Sequence, residues 1–259
     1  MAIPSSGTLW LWNAAQADVC RSIAHAVYGS FIPFPVTLEN AGVAAGFSTP
    51  ISHSCFYGYP PIILDGLEYR EVTSETGCVW LDRNLGATRV ALLSSDSQSY
   101  GSLYQWGRGP DGHQLRTSSV TTSTSSSNTP GHNCFIAVNT FPYDWRNPQN
   151  SGLWNGVGGI NLHAPPGFRL PNRAEWEDEV STWCSEDAAG AFASPLKLPL
   201  AGERFDQTGL IQGGNVCGVY WTQQTISNGS AALFFTCSLA NPTASTFRAT
   251  GASVRLIKD

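Results

Sequence analysis

Only one stretch of this sequence can sustain a long amphipathic helix. In residues 170–184 (LPNRAEWEDEVSTWC), Pro171 precedes Asn172, whose side chain suits an N-cap, and Glu175 stands three residues on as the capping-box partner. Trp176, Val180 and Trp183 recur at i, i+4 and i+7 and predict one buried stripe. The acids Glu175, Glu177, Asp178 and Glu179 fall where the helix dipole favours negative charge, and they read as a solvated face rather than a catalytic or metal-binding set. Elsewhere the apolar runs are short and broken by Gly and Pro. Residues 67–72 (LEYREV), 78–82 (CVWLD), 103–106 (LYQW), 219–222 (VYWT), 231–237 (AALFFTC) and 253–258 (SVRLIK) read as strands. Many short strands, long loops and few helices make an α+β chain, with its last strand tying the chain end into a sheet.

The 259 residues hold one large domain, or a moderate domain plus a small one. Only 13% are charged, about half of the ~25% usual for soluble proteins, so the surface is predicted to be neutral and polar. The net charge of -5 comes without any Lys/Arg run, which argues against nucleic acid as a partner. No apolar stretch approaches the ~20 residues needed to span a bilayer, so no membrane insertion is expected. The opening MAIPSSGTLW shows no secretory signal. Seven cysteines form no CxxC pair and are odd in number, which reads as scattered buried thiols in a protein assembled in a reducing cytoplasm.

The first 60 residues carry almost no charge and a loose internal repeat: TLWLWNAA, VTLENAG and PISHSCFYG, with Asn13 and Asn40 as caps. Trp10, Trp12, Phe31, Phe34, Phe47, Phe56 and Tyr57 are many aromatics for so short a segment, which predicts packing on a partner chain or on its own C-terminal domain. Tyr59-Pro60-Pro61 is a stiff junction, dividing a segment of residues 1–61 from a domain of residues 62–259. Inside that domain, the Ser/Thr run between Arg116 and Asn133 reads as a flexible surface loop or spacer.

Residues 79–91 (VWLDRNLGATRVA), 100–114 (YGSLYQWGRGPDGHQ), 167–177 (GFRLPNRAEWE) and 253–259 (SVRLIKD) together resemble the major paralogous domain first noted as expanded in Fibrobacter, which is similar to formylglycine-generating sulfatase-modifying factors. The resemblance covers the chain from about Ile62 onward and implies a C-type-lectin-like fold. Within it, Arg169 is expected to tie loops together, and Asp82, Arg83 and Asn84 to form a buried polar cluster. A second resemblance lies at the N-terminus, where IPSSGTLWLW and GFSTPISHSCFYGY look like the opening of phage virion and tail-appendage proteins. Asn13 and Asn40 keep the acidic or Asn position of the repeat, whereas Cys55 departs from it. That likeness implies a virion protein assembled in the host cytoplasm, held to other virion proteins by residues 1–61 and forming a homo-oligomer, with a trimer expected.

No enzyme signature stands out. Cys217 lies in a Gly-rich turn and Cys237 in an apolar run, neither in the electropositive setting an activated thiolate needs. There is no G-x-S-x-G elbow, and His113, His132 and His163 share no metal-ligand spacing, although with Asp111 and Asp144 they leave a site assembled by folding open. Asn241-Pro242-Thr243 and Trp145-Arg146-Asn147-Pro148 only echo calcium-lectin motifs and lack the carboxylates. The expectation is no catalytic residue, no metal and no cofactor. Recognition is predicted in two exposed loops implied by the lectin-like resemblance, residues 222–231 and 237–247, through Gln223, Gln224, Asn228 and Asn241. A second candidate surface is FPYDWRNPQNSGLWNG (residues 141–156), where Tyr143, Trp145 and Trp154 are either an adhesive patch or core. The function these features predict is a phage appendage binding a bacterial surface glycan or protein. The alternatives are a structural decoration or tail-assembly protein making only protein contacts, and a bacterial surface adhesin.

Overall fold

The computed structural model describes residues 61–155 and 158–259. The expectations for residues 1–60, including the caps Asn13 and Asn40, the departure at Cys55 and attachment through this segment, lie outside the described residues. Ile63–Asp259 forms a compact unit of its own.

Its elements are mostly strands. In chain order they are β1 (Ile62–Leu64), β2 (Leu67–Tyr69), β3 (Glu71–Thr73), β4 (Val79–Leu81), β5 (Tyr104–Gln105), β6 (Val120–Thr121), β7 (Phe135–Ile136), β8 (Phe168–Arg169), the helices α1 (Arg173–Ser181) and α2 (Ala188–Ala193), then β9 (Glu203–Arg204), β10 (Ile211–Gln212), β11 (Cys217–Ile226), β12 (Gly229–Thr236), β13 (Ala240–Phe247), β14 (Gly251–Ala252) and β15 (Ile257–Lys258). Among the described residues, two helices beside so much sheet agree with a helix-poor α+β reading. The six predicted strands all appear, though 67–72 is split at Arg70 and 253–258 contracts to β15.

β15 lies between β4 and β8, with Ile257 opposite both Trp80 and Arg169. A second four-stranded sheet runs β10-β9-β14-β5, and β11-β12-β13 form an antiparallel sheet of three longer strands. α1 packs on this last sheet, and Trp176, Val180 and Trp183 meet Tyr220, Leu233 and Phe235 in one buried cluster with Trp80 and Ile257. Burying each such side chain contributes roughly 1.5–3 kcal/mol. Asn172 accepts from the Glu175 amide at 2.9 Å while the Glu175 carboxylate accepts from the Asn172 amide at 2.7 Å, so the expected capping box is formed. Arg169 forks onto Glu175 at 2.7 and 2.9 Å and reaches Asp259 at 2.9 Å, joining the helix start to the end of β15.

Three expectations need correction. Glu179 is fully buried rather than solvated, because its position on α1 turns it inward beside Trp183 and Ser74. The Ser/Thr run is not a bare spacer. β6 pairs in parallel with β7, Ser125 bridges to Arg146, and the Ser125 and Ser127 hydroxyls accept from Ser127 and Thr129 amides, closing successive tight turns. Of the polar cluster, Asn84 is fully satisfied, but Asp82 and Arg83 approach one another only to 3.8 Å.

Four buried arginines, which nothing in the local sequence signals, cross-link the loops. Arg255 donates to Asn84 Oδ1 and to the carbonyls of Leu81 and Leu196 at 2.9–3.2 Å, and Arg204 donates to those of Gly209, Leu115 and Ser118. Arg108 holds the carbonyls of His132 and Cys134, and Arg248 that of Gly229. A guanidinium presents five donors in a rigid fork, which lets one side chain satisfy several otherwise orphaned loop carbonyls. Gly101 and Gly107 flank β5 with φ of 68° and 81°. A Cβ at Gly101 would come 2.5 Å from the Leu85 carbonyl oxygen, so glycine is required there by both space and conformation.

Candidate binding surface

Of the four amide residues predicted to form recognition loops, Gln223, Gln224 and Asn241 are placed on strands and Asn228 lies in a tight turn. Gln223 and Gln224 belong to β11, which continues to Ile226 and turns through Ser227-Asn228 into β12. Residues 222–231 are therefore a β-hairpin rather than a loop. Asn241 sits near the start of β13, most of the second predicted loop, and exposed Asn241, Thr243, Ser245 and Phe247 alternate there with half-buried residues. Gln224 is exposed and accepts from the Arg173 amide at 2.5 Å, which holds it against the start of α1. Half-buried Gln223 donates its backbone amide to Pro171. Asn241 accepts from both the amide and hydroxyl of Thr243.

These residues do not converge. Asn228 is at the hairpin tip beside Gly229, while Asn241 faces Phe234, five strand residues away or about 17 Å at ~3.4 Å per residue.

Trp145 and Trp154 are both core, which corrects their candidacy as surface ligands. Trp145 is fully buried and donates its indole N–H to the Trp106 carbonyl at 2.7 Å. Trp154 packs edge-on against Trp106 and Tyr104 and donates to Asn161. Each indole finds its hydrogen-bond partner inside, so neither ring is available outside.

The same segment does present aromatics beyond its tryptophans. Phe141 is 67% exposed, Phe247 38%, and Tyr143 lies half-buried between them. Tyr143 and Phe247 ring centroids are 4.6 Å apart at 46°, and Phe141 meets Tyr143 edge-on at 6.3 Å. Phe247 pairs with Gly229, which places the rings at the hairpin tip, and there the Gln149 side-chain amide donates to the Asn228 carbonyl at 3.2 Å. The Phe141-Pro142-Tyr143 part of this surface was readable as aromatic-rich. Phe247 was not, because only strand pairing brings it there.

Arg248 fixes the three contributing segments together. Its guanidinium donates to the Gly229 carbonyl at 3.3 Å and the Ser151 hydroxyl at 3.1 Å, and it lies 5.0 Å from the Trp106 ring centroid. Asp144 approaches Arg248 to 3.6 Å, and burial holds its carboxyl above the usual carboxylate range, against the Arg146 amide and Arg248, which pull it down. The two charges face each other beneath the surface, and the half-buried Arg146 donates to the Pro148 carbonyl.

The remaining sequence candidates have structural partners. His113 is fully buried, accepts from the Gln105 amide and contacts Asp111 at 2.7 Å, and burial lowers its pKa to about 4. His163 contacts Asp65 at 2.8 Å on the surface, and His132 accepts from the Cys134 amide. Burial pushes the Cys217 thiol up to about 11, which keeps it protonated, while Cys237 is exposed in the turn after β12. Among the described residues no group of three or more His, Cys, Asp or Glu could hold a metal ion, and no helix is long and apolar enough to cross a membrane. A cavity of about 10 Å³ beneath His163, lined by Tyr104, Arg108 and Trp154 among others, is room for roughly one water molecule.

Comparison with known proteins returned no match to any family model, curated protein or solved structure.

Proposed function

We propose that this chain is a non-enzymatic recognition protein of a phage virion. In this reading residues 62–259 are a C-type-lectin-like domain that binds a bacterial surface receptor, and residues 1–61 mount it on the particle as part of a homo-oligomer. The observation that carries the reading is the corner formed by Phe141, Tyr143 and Phe247 with Gln149 and Asn228. It sets exposed Phe141, Phe247 and Asn228 beside half-buried Tyr143 and Gln149, on segments that Arg248 holds together. Rigid aromatics beside adaptable polar side chains are what binding surfaces use when contact area has to come at low entropic cost. The lectin-like assignment is supported by β15 lying between β4 and β8 and by a separate antiparallel sheet of longer strands.

The test is binding of the purified full chain to intact cells of a panel of bacteria, against the double variant Phe141→Ser, Phe247→Ser. Retention of the parent on at least one strain, with loss in the variant, supports receptor binding through this corner. Equal retention of both proteins would remove the corner from the mechanism. Retention on no strain, while the chain still incorporates into particles, would favour a structural decoration making protein contacts only.

A further inference from the structure

We infer that a second copy of this chain packs on an aliphatic strip built around Arg204, so that subunits associate in two-fold pairs. This adds a copy-to-copy contact to the recognition reading above and does not rest on it. Twelve large apolar residues are exposed among the described residues, and half of them belong to this strip: Leu93, Leu115, Val120, Leu210, Ile211 and Val216, each 40–68% exposed. Exposed aliphatics scattered singly are ordinary on a soluble protein, whereas a connected set marks a contact surface.

Hydrogen bonds and close contacts trace the connection. Arg204 lies opposite Ile211 in the β9–β10 pair and donates to the carbonyls of Leu115 and Gly209, which draws the Leu115, Leu210 and Ile211 segments around one guanidinium. Val120 borders the same turn, since a Cβ on Gly209 would come 2.6 Å from Val120 Cγ2. Beyond β10 the Val216 amide closes a turn on the Gly213 carbonyl. Leu200 then donates its amide to the Ser94 carbonyl and accepts from the Asn215 amide, which brings the Leu93 segment alongside that of Val216. Arg116 ties the strip down, donating to the carbonyls of Gly101 and Ala201 at 2.8 and 2.7 Å. The surface is thus held in place before any partner arrives, which lowers the entropic cost of association.

Area and composition select the partner. The six residues expose on the order of 600 Å² together, most of the ~800 Å² that each side contributes to a standard stable interface. An aliphatic surface of that extent suits a permanent partner, because obligate homomeric interfaces are more apolar than transient ones. A head-to-tail contact would need a second, different apolar surface to receive it. Among the described residues, Ile63, Ile160 and Leu239 lie on separate segments and the corner exposes two rings, so none matches the strip in extent. The strip therefore meets its own counterpart, and the relation is two-fold. β10 is the outermost strand of its sheet, so two such edges can approach across the axis. Pairing of this kind makes the number of copies even, in contrast to the trimer expected from the N-terminal likeness.

Native mass spectrometry of the purified full chain is expected to show an even number of copies, and the double variant Leu210→Glu, Val216→Glu is expected to halve it. Both positions are more than 60% exposed, so circular dichroism melting of the variant should match the parent. A photo-reactive phenylalanine analogue in place of Leu210 gives a second readout that needs no disruptive change, and it should cross-link to residues 93–120 or 209–216 of a second copy. A single copy or an odd number, a mass unchanged in the double variant, or cross-links to residues 1–60 or to another surface of the second copy would each overturn the inference. The variant Phe141→Ser, Phe247→Ser should keep the parent's mass. A pair that binds no bacterial strain would remove the receptor reading and leave this one standing, and a monomer that binds cells would do the reverse.

Discussion

Two buried polar sites in this molecule solve the same problem differently. Around Arg255 every partner is matched: its guanidinium meets Asn84 and the carbonyls of Leu81 and Leu196, while Asn84 also donates to Tyr220 and the Tyr100 carbonyl. Around Glu179, fully buried on α1, no hydrogen bond of normal geometry reaches either carboxylate oxygen among the described residues, nor the indole N–H of Trp176 or Trp183. Burial holds the Glu179 acid above the usual carboxylate range, although the nearby Ser74 hydroxyl and Trp183 indole pull it down, Glu75 adds to the rise and Arg255 opposes it. The difference teaches that burial alone does not define a stabilising polar group. The first site fixes loop positions, and the second stores a cost that the surrounding aromatic packing offsets.

That contrast can be broken most severely at Arg255. Arg255→Met strands Asn84 and two carbonyls and is expected to cost about 3–5 kcal/mol, read as a fall in the denaturant midpoint; Arg255→Lys should recover only part, since an ammonium cannot span the fork. A loss under about 1 kcal/mol would show that the junction contributes packing alone. At the opposite site, Glu179→Gln keeps the shape but removes the buried acid, and is expected to stabilise at neutral pH, read as a rise in the denaturant midpoint. The sign follows from proton binding. The folded acid keeps its proton above the pH at which the unfolded one has ionised, so parent stability falls as pH rises past the ordinary glutamate value of 4.5. Melting curves across pH should be flatter in the variant over that window, and parallel curves would dismiss the buried acid as their cause.

A smaller effect sharpens the comparison from a conventional local site. Asn172→Ala removes the cap that accepts from the Glu175 amide at 2.9 Å and should lower stability by about 1 kcal/mol by chemical denaturation, without the pH dependence of Glu179. Smallest is Asp96→Asn. Hydrogen bonds from Arg89, at 2.9 Å each, and from the Leu92 and Gln98 amides hold the Asp96 carboxyl at about 2. The ion pair's contribution is therefore present above the ordinary aspartate value of 3.8 and lost as pH falls towards 2. Arg89 is 44% exposed, so solvent screens the pair and the variant should differ from the parent only slightly, with the gap closing in acid. A gap that widened on acidification would reverse this assignment.

What the sequence made legible is what local chemistry determines. The capping box and stripe of α1 depend on residues a few positions apart, and the Val/Trp/Tyr/Phe runs of β4, β11 and β12 have high strand preference. β13 was illegible because Ala-Asn-Pro-Thr-Ala-Ser-Thr lacks apolar alternation; pairing with β12 makes it a strand, and edge position tolerates Pro242. The inward turn of Glu179 is likewise set by what packs against α1, not by its own segment. Buried arginines escape any pattern search, since their partners are backbone carbonyls up to 174 residues away, as for Arg255 and Leu81. For the candidate surface, the sequence left Tyr143, Trp145 and Trp154 open as patch or core. The larger rings went to the core with their N–H groups satisfied, and Phe141 and Tyr143 were left outside.

The position of β15 between β4 and β8 also has a consequence in time. During synthesis, Trp80 and Arg169 leave the ribosome long before Ile257, their shared neighbour, exists. The earlier strands must wait as open edges, and the sheet closes only when Ile257 arrives. Such late, long-range closure slows folding and leaves a window for misassociation. Ribosome-stalled chains ending before Ile257 should therefore remain protease-sensitive, and those that have released it should become resistant.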